Sequence, residues 1–320
     1  MIKPVPQIEE GIIEAINDKK IAVFIGAGCS RLIGCRGWGQ LAENLIRTCF
    51  ETEKPDGKRC INFKEKDTLS QNTDYKKVIS ICHGILEKNG HEEIFFEKLE
   101  ESFEEDDVLI KTFNIYKELY NFLHDSFSGL SGIFITTNAD EHFDSEFSRS
   151  EIVSMPEDFN ISDSSPLRLY HIHGSISNRE SLVFTVNQYI ERYNHENFRE
   201  VLNKIFNEYT VLFLGYGLEE FEILDFLISK LKLDKRSRRL RNFILLPYYS
   251  GEENILDFDQ IYYNNLGIKV LGYCKDENGY NQLYYVIKKW NEDKSNLLSH
   301  SYDSYKDLDE VIEEHERSKK

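Results

Sequence analysis

Four short segments of this 320-residue chain carry side chains suited to chemistry, and each begins where an apolar run stops. They are Gly26-Ala27-Gly28-Cys29-Ser30, Thr136-Thr137-Asn138-Ala139-Asp140, His171-Ile172-His173-Gly174-Ser175 and Gly215-Tyr216-Gly217-Leu218-Glu219-Glu220. Glycines let a backbone approach a diphosphate closely, and the first amides of a following helix attract anions. The first segment therefore reads as a phosphate cradle or as a plain tight turn. Position 31 is Arg, so the three-glycine dinucleotide fingerprint is incomplete. An amide and a carboxylate two positions apart, Asn138 and Asp140, can hold a ribose through its hydroxyls and orient the bond to be broken. The competing reading is an Asx-turn capping a helix from near Glu141. His173 can take a proton near neutral pH, and His171, on the same strand face, competes for that part.

These segments need a sheet to bring them together. Short apolar runs at Ile21–Ile25, Gly132–Thr136, Arg168–Ile172, Leu182–Thr185, Thr210–Leu214, Asn242–Leu246 and Ile268–Leu271 read as buried strands. Helical spacing recurs at Ile8–Ile16, Trp38–Phe50, Glu219–Leu231 and Gln282–Trp290, with a further helix over Ser304–Glu316. Strands alternating with helices imply an α/β fold with a mainly parallel sheet. In such a sheet the ligand crevice lies beyond the carboxyl ends of the strands, so all four segments converge on one site. Residues 51–71 are polar and contain Pro55-Asp56-Gly57, which predicts an exposed loop, and Tyr75–His124 shows three helical patterns. The expected organisation is one domain from 1–50 and 128–292, a helical insertion at 51–127 and a polar tail at 293–320. Charged helices with apolar stripes, such as Ile110, Phe113 and Lys117 beside Tyr120, point to subunit or partner contacts for the insertion and tail, away from the site; the alternative is an insertion that packs only on its own domain.

The composition excludes several classes. With 39 Lys and Arg against 56 Asp and Glu, the net charge of −17 opposes direct binding to nucleic acid. The one basic cluster, Lys235 to Arg241, reads as a solvated connection. Six scattered cysteines form no paired zinc spacing, so no metal is expected. No apolar run approaches the roughly 20 residues of a membrane span, and the opening lacks signal-peptide character, which points to a cytoplasmic protein.

Taken together, Gly26-Ala27-Gly28-x-Ser30, Gly34-x-x-x-Trp38, Thr137-Asn138-x-Asp140, His173-Gly174-Ser175 and Phe213 to Glu220 resemble the sirtuin-like superfamily. The likeness spans roughly residues 10–290 and is to the bacterial NAD-hydrolase branch found in antiphage defence systems. It implies a Rossmann-like sheet with helices on both faces and NAD as substrate. It also implies that Gly26, Ala27, Gly28 and Ser30 hold the diphosphate, and that Gly215 and Gly217 line the adenosine side. Trp38 and Glu220 join that cofactor-binding set. Asn138 and Asp140 would hold the nicotinamide ribose, with His173 as general base. Cys35-Arg36 departs from the apolar residue and Pro that relatives often carry, and Glu220 replaces their usual Asp. The four-cysteine zinc ribbon of protein-deacylating sirtuins is missing, which argues against deacylation.

The function expected from these residues is hydrolysis of NAD to nicotinamide and ADP-ribose, with Asn138, Asp140 and His173 as the catalytic set. The alternatives are a sensor that binds NAD or ADP-ribose without turnover, and a deacylase or ADP-ribosyltransferase. An unrestrained NAD hydrolase would drain its own cell, so the enzyme should be latent until it self-associates or meets a partner. Within the resembled family, a ring-forming DNA-translocase ATPase is the leading candidate.

Overall fold

A computed structural model describes residues 5–125, 129–162, 165–216 and 242–294. Its strands are β1 (Ile21–Ile25), β2 (His124–Asp125), β3 (Gly129–Leu130), β4 (Gly132–Thr136), β5 (Ile152–Val153), β6 (Leu169–His171), β7 (Thr210–Leu214), β8 (Asn242–Tyr248) and β9 (Ile268–Cys274). Seven of them form one sheet in the order β5-β6-β4-β1-β7-β8-β9, and every pairing in it is parallel. β2 and β3 make a separate antiparallel pair. The chain first builds outward from β1 through β4 to β6 and β5, then crosses back and builds the other way from β7. β1 is therefore the switch point, flanked by β4 and β7, and a crevice opens above it.

Both faces of this Rossmann-like α/β sheet are covered, which explains why β1 is buried at all five positions. Its side chains alternate between two cores. Ile21, Val23 and Ile25 join Ile12, Phe122, Phe134 and Trp290 on one face. Ala22 and Phe24 join Ile135, Tyr170, Phe206 and Phe213 on the other. A third core lies outside the sheet, where the helices Trp38–Glu51, Tyr75–Lys88 and Glu92–Ser102 pack Leu45, Ile79, Cys82 and Leu99 together.

Several expectations change. Leu182–Thr185 is not a strand and takes no place in the sheet. The run is apolar for another reason: Leu182 and Phe184 enter the helical core while Val183 enters the sheet core. The supposed loop at 51–71 contains a helix, Phe63–Ser70, that has no buried residue and so no apolar stripe. Its signal is the cap, with Asn62 accepting from the Glu65 amide and Glu65 accepting from the Asn62 amide. Four helices, not three, follow to residue 123, the extra one being the short Asp107–Thr112. The last of them, Ile115–Leu123, packs in the sheet core, whereas Trp38–Glu51 belongs to the helical core. Gly217, Glu220, the Glu219–Leu231 pattern, the basic cluster and the Ser304–Glu316 pattern lie outside the described residues. Among the described residues no helix is long and apolar enough to cross a membrane.

The close approach at the end of β7 predicts a pair of opposite substitution effects. Gly215 has φ +59°, and a Cβ there would lie 2.6 Å from the Cys29 amide nitrogen. Gly215→Ala is expected to destabilise by about 2 kcal/mol or more, from left-handed strain and overlap together. Gly84, inside the helix Tyr75–Lys88 with nothing within 4 Å of its added Cβ, should gain about 0.5–1 kcal/mol as Ala. Urea unfolding midpoints of the two variants check both signs.

Candidate functional site

At the switch point the turns after β1 and β7 are joined by backbone hydrogen bonds. The Gly26 amide donates to the Leu214 carbonyl (3.0 Å), and the Gly28 amide to the Gly215 carbonyl (2.9 Å). A Cβ on Gly26 or Gly28 would lie 2.5 or 2.7 Å from that same carbonyl oxygen. The glycines are thus required by protein packing, which differs from the cradle read from the sequence. The Gly28 amide is taken by Gly215, and the Cys29 amide bonds the Gly26 carbonyl (3.0 Å). Of the first three amides of the helix Ala27–Leu32, Ala27's alone has no partner among the described residues.

Across the crevice, the segment after β4 turns its polar groups toward that helix. Asn138 Nδ2 donates to Ser30 Oγ (2.8 Å) and to the Gly26 carbonyl (3.2 Å). Ser30 Oγ donates to Asp140 Oδ2 (2.6 Å), and the Tyr116 hydroxyl lies 2.7 Å from Ser30 Oγ. Asn138 therefore does not cap a following helix. Only a short 3-10 turn, Asp144–Glu146, comes next. All four side chains are buried. Asn138 Oδ1 and Asp140 Oδ1 accept no hydrogen bond among the described residues, and both residues line a cavity. Two acceptors at a cavity wall suit the hydroxyl donors of a ribose.

The two histidines part company. His171 is fully buried, with Nδ1 3.2 Å from the Asn138 carbonyl and Nε2 2.8 Å from Asp144 Oδ1. The Asn138 carbonyl and the Asp144 carboxylate both accept, so the geometry suits a ring that carries hydrogen on both nitrogens below its folded pKa. Burial pulls its pKa down, but the Asp144 hydrogen bond and charge, helped by the Asn138 carbonyl and Asp140, hold it above the ordinary 6.5. His171 thus anchors the Asn138 backbone. His173 is also buried, with Nε2 3.0 Å from the Tyr193 hydroxyl and its ring edge-on to Tyr189. It is not among the cavity-lining residues. Arg192 secures its loop by donating to the Ile172 and Ser181 carbonyls (2.9 and 2.6 Å). Burial lowers that guanidinium to about 10, against the opposing charge of Glu157.

The cavity has three walls. Ala27, Ser30, Asn138 and Asp140 form the first, and Cys35, Arg36, Gly37, Trp38 and Leu41 the second. The third is Ser102, Phe103 and Phe184, so residues 102 and 103 of the expected insertion line this cavity. The insertion also fixes the second wall. The Arg36 amide donates to the Ser102 carbonyl (2.8 Å) and the Asp106 amide to the Ile33 carbonyl (2.7 Å). His142 ties the same loop down through the Phe103 carbonyl (2.7 Å) and Glu105 (2.9 Å). Arg36 is exposed, and its guanidinium has no hydrogen bond or ion pair among the described residues. Burial, and next the Asp140 charge, push the Cys29 and Cys35 thiols well up, so neither is a nucleophile. The structure thus gathers Gly26, Ala27, Gly28, Ser30, Trp38, Asn138, Asp140 and Gly215, and leaves His173 off the cavity wall. Tyr116, Ser102, Phe103 and Phe184 carried no sequence signal of a site. They sit in runs that look like ordinary helix or strand.

Residues 132–271 match the SIR2-like domain family, a span that holds Asn138, Asp140, His173 and Gly215. The chain therefore carries a sirtuin-like domain, and such a domain implies NAD binding. A search of curated proteins gives no match. Among the described residues no three His, Cys, Asp or Glu side chains are grouped to hold a metal ion.

The His171 anchor predicts a pH dependence. Its folded pKa is raised, so the stability it contributes is complete below the ordinary 6.5 and fades as pH rises through the folded value. The thermal stability gap between wild type and Asp144→Asn should be widest near about pH 6 and narrow toward about pH 9. A gap that widens with pH contradicts the imidazolium assignment.

Proposed function

We propose that the SIR2-like domain of this chain hydrolyses NAD to nicotinamide and ADP-ribose. One observation carries the reading: Asn138 and Asp140 line a cavity with one uncommitted oxygen each, locked from behind by Ser30. Breaking the nicotinamide–ribose bond builds positive charge on the anomeric carbon, as in glycoside hydrolysis. The Asp140 carboxylate offsets that charge, and Asn138 orients the ribose and the attacking water. The water oxygen bonds the anomeric carbon, and the electron pair of the broken C–N bond leaves on nicotinamide. A proton is released, and His173 is its proposed acceptor. The Ala27 amide and the exposed Arg36 are available to the diphosphate, with Trp38 in the second wall and Gly215 toward the adenosine.

This reading also proposes a cytoplasmic effector of antiphage defence that acts by draining NAD and is switched on by assembly. The proposed assembly is with further copies of the chain or with a ring-forming DNA-translocase ATPase. A second reading, NAD binding without turnover, draws on the placement of His173 against Tyr189 and Tyr193, away from the cavity wall.

Quantifying nicotinamide and ADP-ribose across protein concentration, with and without the candidate partner, separates the two. Hydrolysis predicts stoichiometric release of both products, rising with assembly, and no deacetylation of acetyl-lysine peptides. Asn138→Ala should lower kcat by about 100-fold or more. His173→Ala should cost less, since the ring does not line the cavity, and His171→Ala should also slow turnover by loosening Asn138. NAD binding with no product under any of these conditions would leave the sensor reading.

A further inference from the structure

Tyr116 lies on the helix Ile115–Leu123, far in sequence from every segment that suggested a site. Its ring is buried and stacked on Phe143, with centroids 5.0 Å apart and planes 22° apart. Its hydroxyl lies 2.7 Å from Ser30 Oγ and 3.4 Å from Asn138 Nδ2.

The direction of this contact follows from the capacity of a serine hydroxyl, which has one hydrogen and two lone pairs. The Ser30 hydrogen goes to Asp140 Oδ2 (2.6 Å), and Asn138 Nδ2 donates into one lone pair (2.8 Å). The remaining lone pair faces Tyr116, so the tyrosine O–H must be the donor. The result is a one-way chain from the Tyr116 hydroxyl through the Ser30 hydroxyl to the Asp140 carboxylate. Each bond polarises the next in a low-dielectric interior. With Oδ2 held in this chain and Asn138 Nδ2 held by Ser30 and Gly26, the oxygen of each residue that is left over is Oδ1.

We propose that Tyr116 is a positioning residue for the hydrolysis, fixing Ser30 and through it the Asp140 oxygen offered to the ribose. Burial foremost, and then the charge of Asp140, drive the ionisation of this phenol well above its ordinary range. The donor therefore persists across the working pH of the site. The same contact gives the helix Ile115–Leu123 a part in the chemistry beyond its packing in the sheet core.

This inference rests on the NAD-hydrolase reading. Its test is Tyr116→Phe, which removes one oxygen and keeps the ring that stacks on Phe143. It is assayed for nicotinamide release in the assembly state at which wild type turns over. The expected result is a kcat lowered about 10- to 100-fold with KM for NAD changed by less than about threefold. In a Ser30→Ala background the same substitution should cost less than about twofold, because the chain is already broken there. Thermal unfolding of each variant confirms that it is folded. Wild-type kcat in Tyr116→Phe, or an equal loss in both backgrounds, overturns the positioning role while the hydrolase reading stands. A wild-type chain that releases no nicotinamide in any assembly state overturns both.

Discussion

The site depends on how closely two turns approach each other. Gly26 and Gly28 after β1 meet Gly215 after β7 with no side chain between them, joined by amide-to-carbonyl hydrogen bonds. This contact fixes where the helix Ala27–Leu32 begins, and hence where Ser30, on its first turn, points. Ser30 then reaches Asp140 and Asn138 across the other side of β1. Three strand ends are thereby tied into one polar cluster at the place where the sheet changes direction.

A second anchor works from the opposite side. The imidazolium of His171 holds the Asn138 carbonyl and is itself held by Asp144, so Asn138 is gripped at both its backbone and its amide. A buried cation there costs desolvation, which the paired carboxylate offsets. The cavity is completed by the helical layer, whose residues 102–106 bond the loop from Ile33 to Arg36. That layer has its own core, so its fold can shape the entrance without disturbing the sheet.

Much of this was legible in the sequence, and the exceptions have physical causes. Strands with both faces covered read as continuous apolar runs, so β1, β4 and β7 and the segments after them stood out. Leu182–Thr185 misled because an extended segment spanning two cores has the same composition as a strand. The glycine segments were recognised but for a different reason. A sequence shows that no Cβ fits, not whether a ligand or another turn fills the space. His171 and His173 share a strand face and cannot be ranked by pattern. Their difference lies in Asp144 and Tyr193, which the chain brings up from elsewhere. Tyr116 was invisible because a tyrosine on the buried face of an amphipathic helix looks like core until its hydroxyl is traced to Ser30.

In the proposed hydrolysis Asn138 and Asp140 present their free oxygens to the ribose next to nicotinamide. A crystal structure of the chain with ADP-ribose measures this directly. The expected result is the distal ribose in the cavity beside Ala27, with its hydroxyls within hydrogen-bond distance of Asp140 Oδ1 and Asn138 Oδ1. A ligand bound with that ribose elsewhere, and with Asn138 and Asp140 facing only solvent, would contradict it.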